Sequence, residues 1–218
     1  MAFSATIVEL SAGPRARTKP AAGTTPMAAL VSLSTKDADA ALLHRIKDGD
    51  RAAAALLVDQ YLNRIVAYAF RMLGDRAEAE DVAQETFLRL WRRADQWRPE
   101  APLIHWLHRV AYNLCIDRLR KKKPLSLEVT DEPADPAQNP AAALAGRQLG
   151  EAVRAALQGL PDRQRATIVL VHQEGLGNIE TAAIMDLSVE AVESLLARGR
   201  RALKVSLARL RPELEGEI

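Results

Sequence analysis

Asn178-Ile-Glu-Thr-Ala-Ala-Ile-Met-Asp-Leu-Ser-Val-Glu-Ala-Val-Glu-Ser-Leu-Leu-Ala-Arg198 is the stretch from which the fold of this chain can be read. Ala182 is small where two crossing helices must approach closely, and Asp186 falls at the turn between them. Glycine is commoner there, but Asp tolerates a left-handed backbone better than most residues. Ser188 is placed to cap the second helix through its hydroxyl. Val192 and Leu196, four apart, face a core together with Leu203. This is the spacing of a helix-turn-helix, whose second helix enters the DNA major groove. That helix runs on into Arg198, Arg200, Arg201, Lys204, Arg209 and Arg211 with no acid between them. Such a run can neutralise phosphates and fix a docking register. The plainer alternative is a solvated face on an ordinary helical hairpin.

Upstream of this motif the chain is organised by its prolines. Pro161 sits at a helix start, where its missing amide hydrogen is not needed. The segment 124–140 combines Pro124, Pro133, Pro136 and Pro140 with Glu128, Asp131, Glu132 and Asp135 and carries no base. It is expected to be a flexible, solvated linker. A second helical block, 141–212, follows it. Before it, 36–123 shows helical periodicity throughout. A short first helix is stopped at Gly49, and Asp50 caps a longer one with apolar positions Leu56, Leu57, Tyr61, Ile65, Tyr68 and Met72. Gly74 ends that helix. Asp75 with Glu78 has the spacing of a capping box for the third, which runs to about Trp97. Pro99 and Pro102 mark a loop, and a fourth helix runs from near Leu103 into Lys121-Lys122-Lys123, where basic residues suit the helix dipole. Residues 1–35, rich in Ala, Thr, Ser and Pro, are expected to form a disordered leader. The fold class is therefore all-α: two small helical domains, an N-terminal bundle and a C-terminal helix-turn-helix domain, joined by a flexible acidic Pro-rich linker.

Composition excludes several alternatives. A hydrophobic fraction of 48% beside 27% charged residues is that of a soluble protein, and the formal net charge of only +2 means that charge distribution, not its total, must carry any nucleic-acid argument. Cys115 is the only cysteine, so an intramolecular disulfide is impossible and a cytoplasmic setting is expected. The apolar run Ala166 to Val171 is far too short to span a bilayer, so no direct membrane insertion is expected. His105 and His108 are three apart, but Cys115 lies about two turns further along, too far for a shared metal. The phosphate-binding glycine loop, the zinc-protease motif and the nucleophile elbow are absent. No cofactor, no metal and no enzymatic activity are expected.

Three further stretches carry a family resemblance. Glu80-Asp-Val-Ala-Gln-Glu-Thr-Phe-Leu-Arg-Leu-Trp91 looks like the polymerase-binding helix of bacterial sigma factors. Trp106-Leu-His-Arg-Val-Ala-Tyr-Asn-Leu-Cys-Ile-Asp-Arg-Leu-Arg120 resembles their helix that melts and reads the −10 promoter element. Leu160-Pro-Asp-Arg-Gln-Arg165 followed by Glu174-Gly175-Leu176 is similar to the approach to their −35-reading domain. The order of the three around a linker, on a chain with no room for the extra domains of a housekeeping sigma factor, points to the extracytoplasmic-function (ECF) group.

The resemblance assigns 36–123 to sigma domain 2 and 141–212 to sigma domain 4. It implies that Asp81, Gln84, Glu85 and Leu88 dock core RNA polymerase at the β′ clamp helices, with the β subunit as a further partner. Physically these residues make a partly acidic face with an apolar spot, while Val82, Phe87, Leu90 and Trp91 pack inward. Acids that merely open a helix would look the same. The −10 candidates are Leu103, Trp106, Arg109, Asn113, Arg118, Arg120 and Lys121: aromatics such as Trp106 and Tyr112 can stack on bases, Asn can bond a base edge, and cations hold the backbone. Leu103 stands where relatives often have Phe. The −35 candidates are Ser188, Glu190, Glu193, Ser194, Arg198 and Arg201. Relatives usually carry a base at position 193. Glu190 or Glu193 either sets an unusual −35 preference by accepting from a cytosine amine, or weakens the contact, leaving Arg198 and Arg201 to supply phosphate affinity. The resemblance further implies promoter DNA as ligand, an anti-sigma factor as partner and a role in a stress response. The rival reading is a dimeric helix-turn-helix transcriptional regulator, which leaves the Asp81–Glu85 and Trp106–Arg120 matches unexplained.

Overall fold

The computed structural model describes residues 35–94, 101–122 and 150–215, with side chains as far as Ala208. The expected leader, all but Thr35, and the expected linker 124–140 lie outside these residues, as do Trp97, Pro99 and the side chains of Arg209 and Arg211. The described residues are helical, in the order α1 (Thr35–Lys47), α2 (Arg51–Leu73), α3 (Arg76–Arg93), α4 (Leu103–Lys122), α5 (150–158), α6 (Asp162–Ile168), α7 (Asn178–Met185) and α8 (Val189–Glu215). No strand occurs among them. None of these helices is long and apolar enough to cross a membrane.

Two compact units emerge. One comprises the residues up to Ala67 with Ala77–Ala111, the other Tyr68–Arg76 with the residues from Tyr112 onward. In the first, Leu43, Leu57, Ile65, Val82, Phe87, Leu90, Leu103 and Leu107 are buried almost completely. The expected stripe of α2 holds except at Leu56, which is 50% exposed. Positions 57, 61, 65, 68 and 72 already complete a three- and four-residue repeat, and 56 lies about 100° off it. Helix α2 starts as its sequence requires: Asp50 Oδ1 accepts the Ala52 and Ala53 amides at 2.9 and 3.2 Å. Its other oxygen takes the Arg45 guanidinium at 2.7 Å. The helix stops at Gly74, whose φ of +77° is a backbone conformation that residues with a Cβ rarely adopt.

Helix α1 is pinned to α2 by a buried carboxylate. Asp39, 2% exposed, accepts the Tyr61 hydroxyl at 2.7 Å and the Gln60 amide at 3.4 Å. Burial raises the Asp39 pKa, and the two hydrogen bonds only partly oppose it. Because the folded value then exceeds the unfolded one, the stabilising contribution of this group is complete below the unfolded pKa and is lost as pH rises through the folded one. Asp39→Asn keeps an acceptor for Tyr61 without the ionisation. Its thermal midpoint is expected at or above that of the natural protein at pH 7, with the gap closed below about pH 3. A variant that melts well below the natural protein at pH 7 would show that the charge itself is required.

In the second unit the last turn of α2 is held by Arg165 of α6. This guanidinium, 4% exposed, donates to the carbonyls of Leu157, Gln158 and Leu160 at 2.9, 2.6 and 3.1 Å, and to that of Met72. The Met72 and Gln158 carbonyls lie in the last turns of α2 and α5, where helix carbonyls lack an intrahelical donor, whereas that of Leu157 also accepts the Leu160 amide at 3.1 Å. Gln158 donates to the Arg71 carbonyl at 2.9 Å, and Arg71 pairs with Glu174 at 3.5 Å. Leu157, Leu160, Ile168 and Leu196 form the apolar centre, flanked by Val153, Val171, Ala202 and Leu203. Gly199 permits α8 to lie against α6, since a Cβ there would stand 2.9 Å from Ile168 Cγ1. After Ile168 the helix widens into a π-turn, Val169–Gln173, closed by the Glu174 amide on the Val169 carbonyl at 3.0 Å.

Candidate nucleic-acid interface

The helix-turn-helix forms as its sequence dictates. Ala182, 5% exposed, lies in the core, and Asp186 adopts φ 55°, ψ 53° at the C-terminus of α7. The Ser188 hydroxyl accepts the Ala191 amide at 3.2 Å and so caps α8. Val192 and Leu196 are buried, which turns Glu190, Ser194, Arg198 and Arg201 to the opposite, solvent-facing side, with Glu193 exposed at its edge. Arg198 and Arg201 each spend one N–H on their own helix, on the carbonyls of Ser194 and Ala197 at 3.2 and 3.4 Å. The rest of each planar donor fork is available for an anion. Arg200 instead donates to His172 Nε2 at 3.0 Å.

The two acids of this face are held differently. Glu190 accepts its own backbone amide and the Ser188 hydroxyl, which lower its pKa. Glu193 receives the Asn178 side-chain amide across the turn, Nδ2 to Oε1 3.4 Å.

On α4 the residues Trp106, Arg109, Asn113 and Arg120 recur at three-, four- and seven-residue spacing and share one stripe, with Lys121 beside it. Arg109, Asn113, Arg120 and Lys121 are exposed, while Trp106 and Arg118 are half-buried. Two aromatic or apolar expectations change here. Leu103 is 1% exposed and Tyr112 5%, so both side chains are committed to packing and neither offers a face for stacking. Tyr112 points inward because the stripe 104, 108, 112, 115 is the buried side of this helix, apolar but for His108. Asp117 also falls in the exposed stripe and pairs with Arg120 at 3.0 Å, trimming its positive charge.

On α3 the apolar residues Val82, Phe87 and Leu90 are wholly buried, and Trp91 stands 5.9 Å from the Phe87 ring, half-exposed. The indole nitrogen of Trp91 is itself buried and finds no acceptor among the described residues. Asp81 is exposed, and Gln84, Glu85 and Leu88 are half-buried along the same side. Glu85 takes Arg89 at 2.8 Å, an i,i+4 pair. Asn178, Arg165, Gly199 and Asp117 were not singled out by sequence reading. Only Asn178 carried a usable signal, being a short polar residue at the first position of the first helix of a recognised motif.

The family model for sigma-70 region 2 matches residues 57–124, and that for sigma-70 region 4 matches residues 150–203. The ECF RNA polymerase sigma factor SigW of Bacillus subtilis is 35% identical over 176 residues, covering 76% of this chain and 94% of that protein. Among solved structures, CnrH in complex with the cytosolic domain of CnrY aligns with a TM-score of 0.59 at 30% identity, over 79% of this chain and 99% of that one. The sigma factor RpoE of Bartonella quintana, solved with the anti-sigma factor NepR, aligns with a TM-score of 0.59 over 70% of this chain and 95% of that one; at 23% identity it supports the fold alone.

Proposed function

The chain belongs to the ECF sigma factors of bacterial RNA polymerase, and from that premise we propose how its surfaces divide the work of promoter recognition. As an alternative sigma factor it directs transcription initiation, and the chemistry of RNA synthesis belongs to the polymerase. Residues 36–123 act as domain 2. The face Asp81, Gln84, Glu85 and Leu88 docks core polymerase, where its acids meet a basic surface around an apolar contact. The α4 stripe Trp106, Arg109, Asn113 and Arg120, with Arg118 and Lys121, takes the opened −10 strand: cations on the backbone, the indole against a base, the amide on a base edge. Residues 141–212 act as domain 4, laying α8 in the −35 major groove with Glu193, Ser194, Arg198 and Arg201 towards the DNA, while Ser188 and Glu190 hold the start of the helix. The linker 124–140 joins the two.

The observation that carries this reading is the outward polar and basic side of α8, presented by a helix-turn-helix whose opposite side is fully buried. Because CnrH is held by a cytosolic segment of CnrY, we assign this chain a cytoplasmic location and an anti-sigma factor that covers its surfaces until a stress signal arrives.

Run-off transcription from a genomic promoter library, with core polymerase in the presence and absence of the protein, tests the function. Discrete new start sites sharing paired −35 and −10 elements are expected. Folded protein that neither binds core nor initiates would return the dimeric regulator to first place. In the same assay Asp81→Lys with Glu85→Lys is expected to weaken core binding by at least about tenfold, since like charges then face each other. Binding of a −35 duplex by the variant alone should not change.

A further inference from the structure

The first two turns of α8 present two acids where a phosphate-docking helix gains nothing from negative charge. Glu190 is occupied at the start of its helix. Its carboxylate closes back on its own amide and on the Ser188 hydroxyl, at the positive end of the helix dipole. Glu193 lies one turn further on, exposed at the edge of the side that Val192 and Leu196 bury. One of its oxygens is steadied by Asn178, the first residue of α7, at 3.4 Å. A carboxylate has roughly four acceptor positions and no donor, so most of its accepting capacity faces outward.

We propose that Glu193, oriented by Asn178, is the specificity-determining residue of α8 and selects a cytosine in the −35 element, with Asn178 as its positioning residue and Glu190 as a helix cap. The inference rests on α8 being the −35-reading helix. In the major groove the only base-edge donors are the cytosine N4 and adenine N6 amino groups. Adenine flanks its amino group with N7 and with the thymine O4 of its pair, both acceptors that repel a carboxylate. Cytosine flanks its amino group with a C–H on one side and the guanine O6 on the other. A carboxylate therefore meets one opposing acceptor at a C·G pair and two at an A·T pair. The Asn178 tether removes rotamer freedom from an exposed side chain that would otherwise lose it on binding. It also crosses from one helix of the motif to the other, so it sets the direction of the carboxylate relative to the whole reading head.

The test is initiation by the full chain with core polymerase on templates randomised across the −35 element, for the natural protein, Glu193→Gln, Asn178→Ala, Asn178→Asp and Glu190→Gln. The natural protein is expected to favour cytosine at one position by about tenfold. Glu193→Gln should flatten that position. Asn178→Ala should flatten it in part, and Asn178→Asp, which can only accept, should do so more strongly. Glu190→Gln should leave the profile as it is. All five proteins are expected to melt cooperatively, since both side chains of the pair lie at the surface. Absence of a cytosine preference, its persistence in Glu193→Gln or in both Asn178 variants, or its loss in Glu190→Gln would each overturn the inference. Initiation at discrete sites without these effects would leave the sigma function standing, whereas no initiation by any of the five would remove the functional reading itself.

Discussion

Arg165→Met is expected to lower the unfolding free energy by about 4 kcal/mol, read as a reduced urea midpoint in circular dichroism. Four carbonyls converge on this guanidinium, and hydrogen bonds to a charged donor contribute about 1.5–3 kcal/mol each before non-additivity. Burial lowers the Arg165 pKa, with the Asp162 charge acting against it, so desolvation offsets part of the gain. A buried side-chain ion pair can often be exchanged for apolar residues at little cost, because both partners can be replaced together. Here the acceptors are main-chain atoms, which no substitution removes. Methionine fills the space yet takes the guanidinium from the carbonyls of Met72, Gln158 and Leu160, and only that of Leu157 keeps a backbone donor, the Leu160 amide. Against a typical stability of about 5–15 kcal/mol this is a large fraction. Arg165→Lys is expected to recover only part, since an ammonium has three donors and no fork. An unchanged urea midpoint for Arg165→Met would mean that water satisfies these carbonyls equally well.

What was legible in the sequence, and what was not, follows from the range of each signal. Helix limits set by local chemistry could be read directly: Asp50 caps α2, Gly74 ends it at positive φ, and Ser188 caps α8. The turn at Asp186 was legible for the same reason, since a single residue must reach the left-handed region there. Leu103 and Tyr112 show the limit of aligning a functional role with a residue type. Periodicity on α4 puts both on the apolar side, and burial decided where the resemblance suggested contact. Arg165 was invisible as a structural element because its acceptors are carbonyls, which every residue carries; no sequence pattern marks them. Gly199 was equally silent. A glycine inside a basic helix reads as a weakness until the Ile168 side chain is placed against it. The Asn178–Glu193 bridge spans 15 residues, beyond any helical spacing, and could be seen only once the turn had folded the two helices together.

The replacement of Arg198 and Arg201 by alanine is expected to weaken −35 duplex binding by roughly sixtyfold at 0.1 M salt and by little near 1 M. Each cation seated on a phosphate releases condensed counterions and contributes about −0.9 to the slope of log affinity against log salt. Losing two makes the slope shallower by about 1.8, and that exponent gives the sixtyfold figure at 0.1 M. Both arginines are exposed and use only one N–H on their own helix, so neither substitution removes a packing contact that holds α8. The lost affinity should be nearly the same for all duplex sequences, because phosphates carry no sequence information. Glu193 is predicted to behave in the opposite way. Neutralising it removes a repulsion from the phosphates while erasing a base preference. The two classes of variant therefore separate docking from reading on a single helix, with salt slope as the axis for one and base preference for the other. A slope unchanged in the double alanine variant would mean that these arginines are only a solvated face, and that α8 meets DNA through another side.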